Sequence, residues 1–198
     1  MNLVDRVKKI ILEPKTEWNV IAGEEPNIQQ IMIGYVFPLA LIPAIASIIG
    51  YGLIGRAGFS SISFGVATAL IQLLSAFVVV YLAAFVIDFL APNFGSQKGL
   101  GRAVQLVAYS YTPAWVAGIL YIIPGLSWLV LLASLYSLYL MYLGLAPIMK
   151  TPQDKVVGYL VVSIIVLIIV YAVIGAILSM IVLGIFGLSA ATSAATGM

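Results

Sequence analysis

The chain has 198 residues, 63% hydrophobic and 8% charged, with no Cys, no His and a formal net charge of +2. This composition lies outside that of soluble domains and marks an all-α, polytopic membrane protein. Without Cys or His there are no disulfides, no thiolate chemistry, no Cys-ligated metals and no imidazole base, so no catalytic residue, cofactor or metal site is expected, nor a nucleic-acid partner.

The first long apolar run begins only near Ile31, so no cleaved signal peptide is expected. Residues 1–26 form a charged lead-in. Over Asn2 to Leu12, Leu3, Val7, Ile10 and Ile11 fall on one side of a helix, and Asp5, Arg6, Lys8 and Lys9 fall largely on the other. That is the pattern of an interfacial amphipathic helix. Pro14 breaks it, and Thr16 is placed to cap a second short helix carrying Trp18 and Ile21. Trp18 is expected at headgroup level. The lead-in serves either as a membrane-lying seat for the first span or as a docking site for a cytosolic partner.

Residues 27–188 read as a five-helix transmembrane domain, and 189–198 as a small, neutral tail. Asn27 with Gln30 makes a capping pair ahead of the first span, about 31–54. Pro38 and Pro43 free the carbonyls of Gly34 and Leu39, which predicts a kinked helix or a hinge. Ala46 and Gly50 give it a small-residue contact face. The second span, about 62–90, is longer than a hydrocarbon core requires. Its Asp88 lies within a turn of Ala91-Pro92-Asn93 and reads as an interfacial carboxylate balanced by Lys98 and Arg102. Gln72, deeper in the span, is expected to hydrogen-bond another helix. The turn-rich stretch from Ala91 to Arg102 reads as a flexible surface loop. Its Gly99-Leu100-Gly101 lacks the preceding strand and third glycine of a dinucleotide site.

From Gln105 to Lys150 no charge intervenes, and Pro124-Gly125 is the strong turn. A hairpin of two spans follows, about 104–122 and 127–148. Pro113 releases the carbonyl of Tyr109, which Ser110 or Thr112 can satisfy, and Ala114 with Gly118 gives a close-approach pair. In the fourth span Tyr136, Tyr139 and Tyr142 recur every three residues beside Ser134 and Ser137. These groups either bond across the bundle or line a polar cleft for a lipid headgroup or small solute. The cleft residues are Tyr109, Ser110, Thr112, Pro113, Tyr136 and Tyr139. Thr151, Pro152 and Asp154 form a start signal for the fifth span, about 156–186, whose Gly175 and Ser179 offer a packing face. The small-residue faces serve either intrachain packing or a homodimer.

Basic residues cluster before the first span, at Lys98 and Arg102, and at Lys150 and Lys155, with only Arg56 opposite. For five spans this places the N-terminus in the cytoplasm and the C-terminus outside. Lys8, Lys9, Trp18, Lys98, Arg102, Lys150 and Lys155 thus form a surface for the lipid bilayer or a cytoplasmic protein partner. A non-enzymatic, membrane-organising role is the leading expectation. A small transporter, channel or lipid-moving protein using the cleft is the alternative.

Several segments, in order, carry a resemblance. They are Pro14-x-x-x-Trp18, the run R-A-V-Q-L-V-A-Y-S-Y-T-P from Arg102 to Pro113, the Pro124-Gly125 turn, the tyrosine-rich fourth span ending in G-L-A-P at Pro147, and a basic loop before a final span. Together they resemble prokaryotic Yip1-domain proteins. The resemblance implies five spans with a cytoplasmic N-terminus in a prokaryotic plasma membrane, and no catalytic residues. Eukaryotic relatives of that family are linked to vesicle traffic, Rab-type GTPases and membrane shaping, and carry a long cytosolic N-terminal region that is short here.

Overall fold

The computed structural model describes residues 2–55 and 61–173. Arg56, Gly175, Ser179 and the tail lie outside the described residues, as does the fifth span beyond Val173. Helix α1 (Leu3–Leu12) opens with the Asn2 side chain accepting the Val4 amide at 3.3 Å. Pro14, with no amide to continue the ladder but a backbone angle suited to a first helical turn, starts α2 (Pro14–Ala22). This pair packs into the bundle. Ile10, Trp18 and Ile21 are all at most 1% exposed, so Trp18 faces protein rather than an open membrane surface. Helix α1 can bury its apolar stripe against protein as readily as against lipid, because an amphipathic moment does not specify what lies opposite.

Asn27 caps the next helix as the sequence predicts, accepting the Gln30 amide at 2.9 Å. Helix α3 (Ile28–Ile54) then runs as one apolar element. It widens to π-helical turns over Met32–Val36 and Ile48–Ile54. The first of these lies just ahead of Pro38, whose missing amide and bulky ring disturb an α-helical ladder. The expected small-residue face is used: Ala46 and Gly50 are buried, and a Cβ at Gly50 would collide with the Tyr121 carbonyl.

Helix α4 (Ile62–Leu90) starts with Ser61 accepting the Phe64 amide at 3.3 Å. At 29 residues it is ~43 Å long, against about 30 Å for a hydrocarbon core. Gly65 lets it cross α3 closely, since a Cβ there would lie 2.8 Å from the Gly52 Cα. Gln72 donates to Ser47 Oγ at 2.6 Å, the interhelical bond anticipated for it. A 3-10 turn, Ala91–Phe94, ends the element.

The third apolar segment is broken where a continuous helix over 104–122 was expected. Helix α5 (Leu100–Ser110) stops at Tyr111, helix α6 (Thr112–Ala117) resumes, and a 3-10 stretch, Gly118–Ile122, completes the segment. The cause is Pro113, which leaves the Tyr109 carbonyl without a helical donor. Thr112 Oγ1 donates to that carbonyl at 2.7 Å. Gly118 rests against Pro43 of α3, where a Cβ would come within 2.6 Å of the Pro43 side chain.

Helix α7 (Leu129–Met149) ends at Lys150, which takes a left-handed conformation with φ 52°. Thr151 is not the cap of the following helix that the sequence suggests. Its hydroxyl is buried, donates back to the Leu145 carbonyl at 3.1 Å and accepts from Ser96 Oγ at 2.9 Å. Residues 153–155 make a turn, and α8 is described over Val156–Val173. Among the described residues, α3, α4, α7 and α8 are each long and apolar enough to cross a membrane, and no strand occurs.

Three loops gather at one end of the bundle. The Gln97 amide donates to the Met149 carbonyl at 2.8 Å, and Phe94 stacks on Tyr159 at 4.8 Å. Arg102 donates to the carbonyls of Ala22 and Glu24 at 3.0 and 2.8 Å. The lead-in and both basic loops therefore share one face.

Candidate functional site

Arg6, Leu3 and Ile10 occur at spacings that share one side of a helix. Arg6 accordingly points inward rather than toward the polar face predicted for it, and is 6% exposed. Its Nη1 pairs with Glu17 Oε1 at 2.6 Å, and its Nη2 pairs with Glu24. Glu17 is itself 2% exposed. The guanidinium also lies over the Tyr109 ring, 5.4 Å from its centroid, a cation–π geometry. Burial works to lower the Arg6 pKa. The hydrogen bond to Glu24 and the nearby charges outweigh it, holding the guanidinium above its ordinary value.

Around this ion cluster the third segment supplies a second polar layer. Tyr109 stands edge-on to Tyr35 at 4.6 Å and to Trp18 at 6.5 Å. The Tyr35 hydroxyl bonds Thr112 Oγ1 at 2.7 Å, and Thr112 in turn serves the Tyr109 carbonyl. Gln105 donates to the Ile21 carbonyl at 3.4 Å and accepts from Arg102 at 3.3 Å. Between α1, the start of α3 and α5 lies a cavity of about 330 Å³, with Arg6, Glu24, Gln30, Tyr35, Gln105 and Tyr109 in its wall. Thr112, just after the break at Tyr111, bonds both the Tyr35 hydroxyl and the Tyr109 carbonyl.

The residues proposed for a cleft divide between separate surroundings. Tyr109 lines this cavity and Thr112 braces it, while Pro113 is buried at the break. Ser110 is wholly buried, and its hydroxyl has no hydrogen-bond partner among the described residues. Tyr136 donates to the Ile11 carbonyl at 2.7 Å, fastening α1 to α7. Tyr139 lies beside it at 5.7 Å and is 43% exposed. Neither Tyr136 nor Tyr139 is in the wall of the cavity that holds Tyr109.

The surface set also divides. Lys8, Lys9, Lys98, Lys150 and Lys155 are exposed. Trp18 is 1% exposed and lies against Gly144, so it belongs to the core and not to a docking surface. Arg102 is half-buried on backbone carbonyls, with Glu25 3.9 Å away. Asp88 is half-buried and takes the Gly99 amide at 2.6 Å, in place of the basic side chains expected to balance it.

Sequence reasoning missed Glu17, Glu24, Tyr35 and Gln105. The available signal was Arg6 at i+3 from Leu3 and i−4 from Ile10, a charge within an apolar stripe that needs a carboxylate. Among the described residues no cluster of His, Cys, Asp and Glu has a metal-binding arrangement. The arrangement is a charged latch that holds α1 and α2 over a small polar cavity.

No curated protein and no solved structure matches the chain. A family model described as the Yip1 domain matches residues 8–177, from within α1 past the end of the described part of α8. That match covers most of the chain, including α2 and every apolar helix described, so this multi-pass membrane protein belongs to the Yip1-domain family.

Proposed function

We propose that the protein is a non-enzymatic membrane organiser of a prokaryotic plasma membrane, working through its charged end. In this reading the broken third segment is a fifth crossing, the N-terminus is cytoplasmic and the C-terminus is outside. The observation that carries it is the gathering of the end of the lead-in, the 91–99 loop and the 150–155 loop at one end, with Lys98, Lys150 and Lys155 exposed there and Lys8 and Lys9 exposed on the lead-in. Such a surface suits anionic headgroups or an acidic cytoplasmic partner. The latch keeps α1 and α2 in place, so that the surface is rigid and its lysines keep fixed spacing.

Reversing Lys8, Lys98 and Lys150 together to Glu tests this without touching the latch. At equal expression the variant should lose its effect on membrane morphology and its copurifying proteins. Unchanged morphology with unchanged copurifying proteins would sink the proposal.

A cavity of about 220 Å³ favours a second reading, a solute- or lipid-moving protein. Pro43, Gln72, Tyr111, Trp115 and Ser134 lie in its wall, so it is bounded by the first four apolar segments beside the break. Liposome flux that is indifferent to Pro113→Ala and to Gln72→Leu would count against it.

A further inference from the structure

On the other side of α2 from the Arg6 latch lies a separate cavity of about 210 Å³, between α2, the last turns of α7 and the 150–155 loop. Lys15, Trp18, Asn19, Tyr142, Pro147 and Gln153 are in its wall, and no carboxylate is. Every polar side chain there can donate a hydrogen bond. Lys15 makes no ion pair with any carboxylate among the described residues. The Asn19 amide is oriented by donating to the Lys15 carbonyl at 3.0 Å.

Two further features lie at the wall of this cavity. Trp18 carries a buried indole N–H with no acceptor in the protein, a rare and costly condition for a buried donor. Its ring edge is pressed onto α7 at Gly144, where a Cβ would lie 2.8 Å from Cε2, the atom that bears the nitrogen. Gly144 and Pro147 share a helix face. Pro147 has no amide to give the Leu143 carbonyl its helical partner, and Leu143 also lines the cavity. The pocket thus combines a cation and several neutral donors with a helix segment in which Pro147 removes the usual amide partner of the Leu143 carbonyl.

We propose that this pocket binds the phosphate of an anionic, hydroxyl-bearing phospholipid headgroup of the phosphoglycerol class. Lys15 supplies the counter-charge, and Asn19, Tyr142 and Gln153 supply hydrogen bonds. The Leu143 carbonyl accepts from a headgroup hydroxyl. The cavity adjoins the end of the apolar helix α7, where a bilayer-resident lipid presents its headgroup. The site requires only that the chain sit in a bilayer, so it stands or falls separately from the lysine surface.

The test is native mass spectrometry of the delipidated full chain, titrated with phosphatidylglycerol, with phosphatidylcholine and with inorganic phosphate. Wild type should retain one phosphatidylglycerol in preference to phosphatidylcholine. Lys15→Gln, an exposed change that spares the fold, should weaken that adduct about tenfold, the loss of one charge-assisted bond. Gln153→Leu, an exposed change in the same wall, should weaken it as well. Equal retention of the two lipids, or an adduct indifferent to Lys15→Gln, overturns the proposal. A phosphate adduct without lipid preference would assign the pocket to a soluble phosphate-bearing ligand and overturn the lipid assignment.

Discussion

Arg6 is a buried charge held by two carboxylates from the second helix and the loop after it. Removing one partner of a buried pair leaves the other uncompensated. Arg6→Ala should therefore cost about 3 kcal/mol or more, while Arg6→Met paired with Glu17→Leu should recover much of it. Thermal unfolding of the four-member cycle in detergent measures the coupling. Since the Arg6 pKa is raised in the folded state, its stabilisation is fully present below the ordinary guanidinium value and is lost only as pH rises through the folded pKa. The Arg6 contribution should be flat through the neutral range. Gly144 is the second sensitive residue, because any Cβ there meets Trp18 at 2.8 Å. Gly144→Ala should destabilise by about 1–3 kcal/mol, read as a lower melting temperature.

Among the elements, the break between α5 and α6 is the one whose local chemistry can be separated into parts. Thr112→Val removes the donor to the Tyr109 carbonyl and the partner of the Tyr35 hydroxyl together, at a cost of about 2 kcal/mol. In a Pro113→Ala background the restored amide can serve Tyr109, so the same change should cost less. Equal costs in both backgrounds would show that Thr112 does not stand in for the missing amide. The proline and its rescue by a hydroxyl were legible in the sequence, because both lie within one turn. The length of the break was not, since it depends on Pro43 of α3 meeting Gly118. Helix α1 gives the converse lesson: its stripe was legible, yet the inward turn of Arg6 depends on Glu17 and Glu24.

Taken as a whole, the molecule is asymmetric in charge, and that asymmetry predicts its orientation. The chain has no Cys, so single cysteines report sidedness cleanly. Lys8→Cys, Lys98→Cys and Gln153→Cys should react with an impermeant maleimide only after the membrane is opened, and Gly125→Cys should react in intact cells. Opposite labelling of Lys8→Cys and Lys98→Cys would break the topology. The sequence by itself determined the membrane class, the helical composition, the concentration of basic residues, the cap at Asn27 and the need for Ser110 or Thr112 to satisfy the carbonyl freed by Pro113. Each of these follows from composition or from groups within a turn of one another. Only the tertiary structure decided that Trp18 and Arg6 face inward, that Tyr136 ties α7 to α1, and that the cleft residues have separate neighbours. The free energy of burying a charge or an indole depends on partners far along the chain, and apolar periodicity is the same whether the facing surface is lipid or protein.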